Sequence, residues 1–303
     1  MINPYEKVDW KTAEQIKSMS HMHATNQERF EQCLTEGYRH FAVTNYQPSV
    51  PTYPLDKFFT DIPSGVIGSP NTEKVYTTSF GGGVHICSLG SFAERHGHTS
   101  GPLAPWQTVF DEVLSNLQFE DGGGITLNHP GSKNFERYTE LLDYDDRVLG
   151  IEIFNRCGKK IDGKYFPRFY TDFWDEILTS GRRCWGFAVV DWRMYGIAWG
   201  SNVLLVPEFT EHECLRAYRN GNFYMQIKDV GLRFTDITLS EGVLNVAVNR
   251  ECIIKFITSQ GIIKEVCAES ASCAVPTDAV FIRVEAIEPR DPDSHILSNP
   301  IIF

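Results

Sequence analysis

A chain of 303 residues, 42% hydrophobic and 13% aromatic, has the material for one large domain plus a small one, or for a single barrel with extensions, and is too apolar to stay disordered. Its formal net charge of −11, from 28 basic against 39 acidic residues, and the lack of an evident Lys/Arg cluster argue against nucleic acid as a partner, though not against a local anion pocket. No apolar run approaches the roughly 18 residues of a membrane span.

The opening, MINPYEKVDWKTAEQ, is polar and lacks the apolar stretch of a signal peptide. No membrane partner is expected, and a cytoplasmic location is the default. Eight cysteines without a C-x-x-C pair read as free thiols, mostly buried, in a reducing compartment.

In chain order, residues 12–19 lead into SHMHA. TNQERFEQCLTEGYRH predicts a helix with Thr25 or Asn26 as N-cap and Gly37 near its stop. FAVTNY (41–46) is strand-like, and residues 47–72 are a Pro-, Ser- and Gly-rich loop. Lys74–Ser79 and Val84–Leu89 form two strands around GGG, followed by the polar loop FAERHGHTSGPLAP. Trp106–Gln118 is helical, ITLNHP is a strand, and Glu136–Leu142 is a short helix. VLGIEIFN (148–155) and CWGFAVVD (184–191) are buried strands. Tyr165–Thr179 and Glu211–Asn220 are helices that end at Gly181 and Gly221.

From about residue 228 short alternating segments follow one another without a helix, so we expect a small antiparallel β domain over 228–303 behind an α/β domain over 1–227.

Several polar residues stand at the ends of segments that otherwise favour burial. His21 and His23 are two apart, the spacing that puts two imidazoles on one side of a strand. His85 interrupts VHICSLG, His129 ends ITLNHPG, and Asp191 ends CWGFAVVD. Burying an unpaired carboxylate or imidazolium is costly, so such residues pair with one another or coordinate a metal. Their spread over successive strand ends favours one shared site, since α/β barrels collect their sites at the C-terminal ends of the strands.

These segments resemble, in order over roughly residues 18–226, the motifs of the PHP (polymerase and histidinol phosphatase) family. SHMHA is similar to its opening H-x-H, HICSLG to its His-bearing strand, GGGITLNHPG to its Asn-His-Pro motif, and GIEIFN to its Val-Glu-Xaa-Tyr-Asn strand. WGFAVVDWR is similar to its final Asp-x-His, and HECLRAYRNGNFY to the segment that follows. FIRVEAIEP and LSNPIIF resemble the β extension of many relatives. The resemblance implies a distorted (β/α)7 barrel followed by the β domain, and a metal-dependent hydrolase. It implies that His21, His23, Glu73 and Asp191 hold one divalent ion, and that Glu73, His85 and His129 hold a second. Glu94, in AERHGH, is the alternative to Glu73.

The family's third-metal ligands have no counterpart: Asn45-Tyr46 and Asp191-Trp192-Arg193 stand where Asp-His and Asp-x-His are usual. We therefore expect two ions (Zn, Mn or Fe) and no third. Arg193 is a candidate for the missing positive charge, because a guanidinium matches phosphate oxygens with two parallel donors. Tyr46 is a candidate hydrogen-bond donor to the same group, and His96 or His98 for the proton to the leaving group. Asn128 and Asn155 are candidates for orienting ligands or substrate.

The expected reaction is hydrolysis of a small phosphorylated, anionic substrate by water activated between the two ions. Cleavage of an amide, ester or lactone by the same centre, and a non-catalytic relic, are the alternatives. A homo-oligomer is compatible with the sequence.

Overall fold

The structure is a computed structural model that describes residues 1–24, 26–44, 53–78, 83–93, 104–131, 133–191 and 199–303. The elements that build the site intersperse five α-helices among the strands. They are β1 (Glu14–Met19), α1 (Gln27–Thr35), β2 (His40–Phe41), β3 (Ile67–Gly68), β4 (Glu73–Thr77), β5 (Gly83–Leu89), α2 (Trp106–Ser115), β6 (Gly124–Leu127), α3 (Phe135–Leu142), β7 (Val148–Ile161), β8 (Lys164–Phe169), α4 (Thr171–Thr179), β9 (Trp185–Val189), β10 (Trp199–Val206), α5 (Glu211–Asn220) and β11 (Phe223–Lys228). Strands alone follow: β12 (Phe234–Ser240), β13 (Val243–Thr258), β14 (Gly261–Ala274), β15 (Phe281–Ile287), β16 (His295–Ser298) and β17 (Ile301–Ile302).

Local chemistry explains several helix boundaries. The side chain of Asn26 accepts from the Arg29 backbone N–H at 3.0 Å and opens α1. Thr210 does the same for Glu213 at the start of α5, and Gly221 closes that helix at φ 73°, where a Cβ is disfavoured.

The helix expected over 165–179 is a correction. Its first part is β8, and α4 begins only at Thr171. Asp162 and Gly163 both take positive φ (46° and 78°) and turn the chain back, so residues 164–169 find their partners on β7. The strand expected over 148–155 accordingly runs on to Ile161.

The fold is mixed α/β, but the described residues show no closed ring of seven strands. The ladders form two sheets, β12-β13-β15-β16-β11-β10-β1-β2-β3 and β4-β5-β6-β7-β8, with β9 paired to β7. The sheets approach each other at the strand ends. The Glu73 N–H donates to the Thr44 carbonyl at 3.2 Å. The segment after β1 pairs in parallel with the end of β9, through Asp191 N–H to His21 O (3.0 Å) and His23 N–H to Asp191 O (3.1 Å).

The largest core packs Phe110, Trp174, Trp185 and Tyr218 between helices and sheet, and a second core lies inside the C-terminal strands. The first sheet is continuous across residue 228, because β11 pairs with β16. Arg283 on β15, 4% exposed, also clasps Asp175 of α4 with two bonds of 2.7 Å. The eight cysteines are free and only Cys267 is exposed. Among the described residues no helix is long and apolar enough to cross a membrane.

His295 on β16 donates to Glu285 on β15 at 2.6 Å and also to the Pro292 carbonyl. Burial opposes both charged forms. The mutual hydrogen bond prevails, raising the His295 pKa and lowering that of Glu285. The glutamate contribution is present above its unfolded value near 4.5 and is lost as pH falls through the folded one. The histidine contribution is complete below about 6.5 and is lost as pH rises through the folded value. Both operate together between roughly pH 4.5 and 6.5. We expect His295→Gln to cost on the order of 1 kcal/mol in that window and less on either side, read from urea unfolding at several pH values. An equal cost at pH 5.5 and pH 9 contradicts the pairing.

Candidate metal centre

The strand ends bring the six residues read from the sequence into one pocket. His21 and His23 follow β1, Glu73 opens β4, His85 lies in β5, His129 follows β6 and Asp191 follows β9. The Nε2 atoms of His21 and His23 face each other at 3.4 Å. Glu73 Oε2 lies 3.0 Å from His23 Nε2 and 3.7 Å from His21 Nε2. Asp191 Oδ1 completes this group at 3.5 and 3.6 Å from the same nitrogens.

The other oxygen of Glu73 faces the second pair. Oε1 is 2.7 Å from His85 Nδ1 and 3.3 Å from His129 Nε2. Within each trio, His21/His23/Glu73 and Glu73/His85/His129, the donor atoms all lie within 4.8 Å of one another.

The electrostatics of the pocket suit a cation. Burial opposes an imidazolium at His21, yet Cys87, Asp191, Glu152 and Glu73 around it raise its pKa well above the usual value. His129 is pushed up to about 9: burial again opposes, and the hydrogen bond to Glu73 together with the charges of Glu152 and Asp191 prevails. Glu73 is held well below the usual carboxylate range by the surrounding histidines, against the opposite pull of burial. The carboxylates thus call for positive charge, and they favour the protonated forms of His21 and His129. Two divalent ions would supply it instead, through donors of the N/O type that Zn, Mn and Fe accept. By this test the donor set fits the expected ions.

Backbone conformation supports a built site. His129 (φ 26°) and Asp191 (φ 64°) sit in the left-handed region, uncommon outside glycine and concentrated at functional sites.

Glu152, which sequence reasoning quoted in GIEIFN without a role, is the residue that organises this geometry. It is fully buried; Oε1 accepts from His21 Nδ1 at 2.6 Å, and Oε2 accepts from the His129 backbone N–H at 2.7 Å. The signal was present, as a lone carboxylate inside an apolar strand. Asn155, three residues on, donates to Glu152 Oε2 and to Asp191 Oδ2, both at 2.9 Å. Asn128 reaches Glu73 Oε1 at 3.4 Å and Cys87 Sγ at 3.2 Å. Tyr46, Glu94, His96, His98 and Arg193 lie outside the described residues.

No protein-family model and no curated protein matches this chain. Among solved structures it is similar to a two-domain protein from Bacteroides vulgatus ATCC 8482 described as containing a predicted PHP-like metal-dependent phosphoesterase. The likeness covers 100% of this chain and 98% of that one, with a TM-score of 0.51 and 10% sequence identity. The resemblance read from the sequence motifs therefore holds at the level of fold: this chain has the architecture of a PHP-like protein, with the C-terminal β extension included.

Proposed function

We propose that this protein is a metal-dependent phosphoesterase that hydrolyses a small phosphate ester at a dinuclear centre. The observation that carries the reading is the placement of Glu73, with one oxygen toward His21/His23 and the other toward His85/His129. His21, His23, Glu73 and Asp191 would hold one ion, and Glu73, His85 and His129 the other. When bound, such ions act as Lewis acids and lower the pKa of water toward neutrality.

The residues of the chain prepare that chemistry. Glu152 fixes the ring of His21 with Nε2 directed into the pocket, and Asn155 holds Asp191 in register with it. Exposure sets the direction of entry: His21 is 1% exposed, whereas His85 and His129 are 29% and 28% exposed, so substrate approaches over the latter pair. In this reading Arg193 and Tyr46 contact the phosphate, and His96 or His98 protonates the leaving group.

The test is phosphate release from p-nitrophenyl phosphate, with p-nitrophenyl acetate run in parallel. We expect turnover of the phosphate after addition of Mn²⁺ or Zn²⁺ and its loss on chelation. Full activity in metal-free protein refutes the reading. Turnover of the acetate alone transfers it to carbonyl hydrolysis.

A further inference from the structure

The two halves of the candidate centre are built differently. In the inner half, His21, His23 and Glu73 are sealed from solvent and Asp191 nearly so. Backbone clamps three of these four ligands together: the Asp191 N–H donates to the His21 carbonyl, and the His23 N–H to the Asp191 carbonyl. Side chains are held as well, His21 Nδ1 by Glu152 and Asp191 Oδ2 by Asn155. The outer half shares Glu73 but takes its histidines from separate elements, His85 within β5 and His129 beyond β6, joined by a bond of 3.0 Å from the Asn128 N–H to the His85 carbonyl. Both rings are part-exposed. Glu152 holds His21 by its ring but His129 by its backbone N–H. Asp191 belongs to the inner half, so the outer ion has three protein ligands against four.

Charge separates the halves further. Among the described residues, three carboxylates surround the pocket: Glu73, Asp191 and Glu152. One divalent ion leaves this set with a surplus of negative charge. A second ion reverses the sign, and it must settle beside an ion that shares Glu73 with it, against their mutual repulsion. An anion arriving on the open side, over His85 and His129, offsets that positive surplus.

We propose that the two ions are held unequally, and that the outer one is coupled to the anion of the substrate. The inner ion is resident, because ligand number, rigidity and supporting hydrogen bonds all raise affinity. The outer ion exchanges with the medium and is drawn in by phosphate. The inference rests on the dinuclear phosphoesterase reading and adds its regulation: free metal and substrate together set the fraction of chains that carry both ions. Linkage makes the coupling mutual, so the outer ion strengthens phosphate binding by the same factor.

The test is a Mn²⁺ titration of full-length, chelator-stripped protein, with the free ion read by its electron paramagnetic resonance signal, in the absence and presence of inorganic phosphate. We expect two steps, the second about a hundredfold or more weaker than the first. Phosphate should tighten the second step about tenfold or more and move the first by less than about threefold. His85→Ala and His129→Ala, each with the circular dichroism spectrum of the parent, should erase the second step and the phosphate response while keeping the first. Two steps within about threefold of each other, loss of the tight step in both variants, or a second step indifferent to phosphate each overturns the proposal and leaves the dinuclear reading standing. Unequal, phosphate-coupled steps in a protein that hydrolyses no ester uphold the proposal and end the phosphoesterase reading. Protein that binds no Mn²⁺ removes the centre, and the proposal with it.

Discussion

Glu73→Gln is expected to lower metal content from two ions per chain to one or none, and phosphatase kcat by about a thousandfold or more, equivalent to roughly 4 kcal/mol of barrier. The size of the effect follows from position. Both oxygens of Glu73 are engaged, Oε2 beside His23 and Oε1 beside His85 and His129. The amide keeps the shape of the side chain but removes its negative charge and replaces one acceptor by a donor. Whichever way it is turned, one pair of histidines faces an NH₂ group. Elemental analysis after dialysis, combined with turnover, measures both outcomes. A circular dichroism spectrum like that of the parent shows that the fold has survived. Two retained ions with activity within threefold of the parent would remove Glu73 from the centre.

Glu152→Gln should be nearly as damaging, although Glu152 touches neither expected ion. Oε2 accepts from the His129 N–H and from Asn155, and Oε1 accepts from His21 Nδ1. A glutamine has one acceptor oxygen. If that oxygen serves His129 and Asn155, its NH₂ points at His21 Nδ1. The imidazole must then accept there and carry its proton on Nε2, the nitrogen directed at His23 and Glu73. A protonated Nε2 cannot ligate. We expect affinity for the first ion to fall about 10- to 100-fold, the range associated with loss of a ligand's supporting hydrogen bond. Glu152→Ala should show the same metal defect. It should also lose about 1–3 kcal/mol of stability, because the buried His129 N–H is left without its acceptor. Metal titration read by calorimetry separates the cases: Glu152→Gln binding like the parent would show that the carboxylate only fills space.

Most of the candidate ligand set was legible because its members are polar residues within or at the ends of apolar strands. His129 after ITLN and Asp191 after FAVV announce themselves by the cost of burying them. Glu73 carried no such contrast and came from order along the chain. Glu152 has the strongest contrast of all, yet its role depends on distance. Only the fold shows that it reaches His21, 131 residues away.

The helices at 27–35 and 211–220 were readable from their caps, which are local. The β8 hairpin was misread as helix because Tyr165–Phe169 suits either state by composition. The deciding feature, two positive-φ residues at Asp162-Gly163, is a turn signal outweighed in the reading by the aromatic run after it. The closed barrel was expected from the resemblance alone; the described residues form two sheets instead, and closure depends on which edges meet, which no local pattern encodes.

The pairing of β11 with β16 has a practical consequence. A fragment trimmed near residue 228 to isolate the metal centre would leave a raw edge along Tyr224–Gln226, with unpaired N–H and C=O groups flanked by large apolar side chains. Such an edge recruits another copy of itself, so a minimal version of this protein would tend to precipitate unless His295–Ser298 were kept or a surrogate strand grafted in its place.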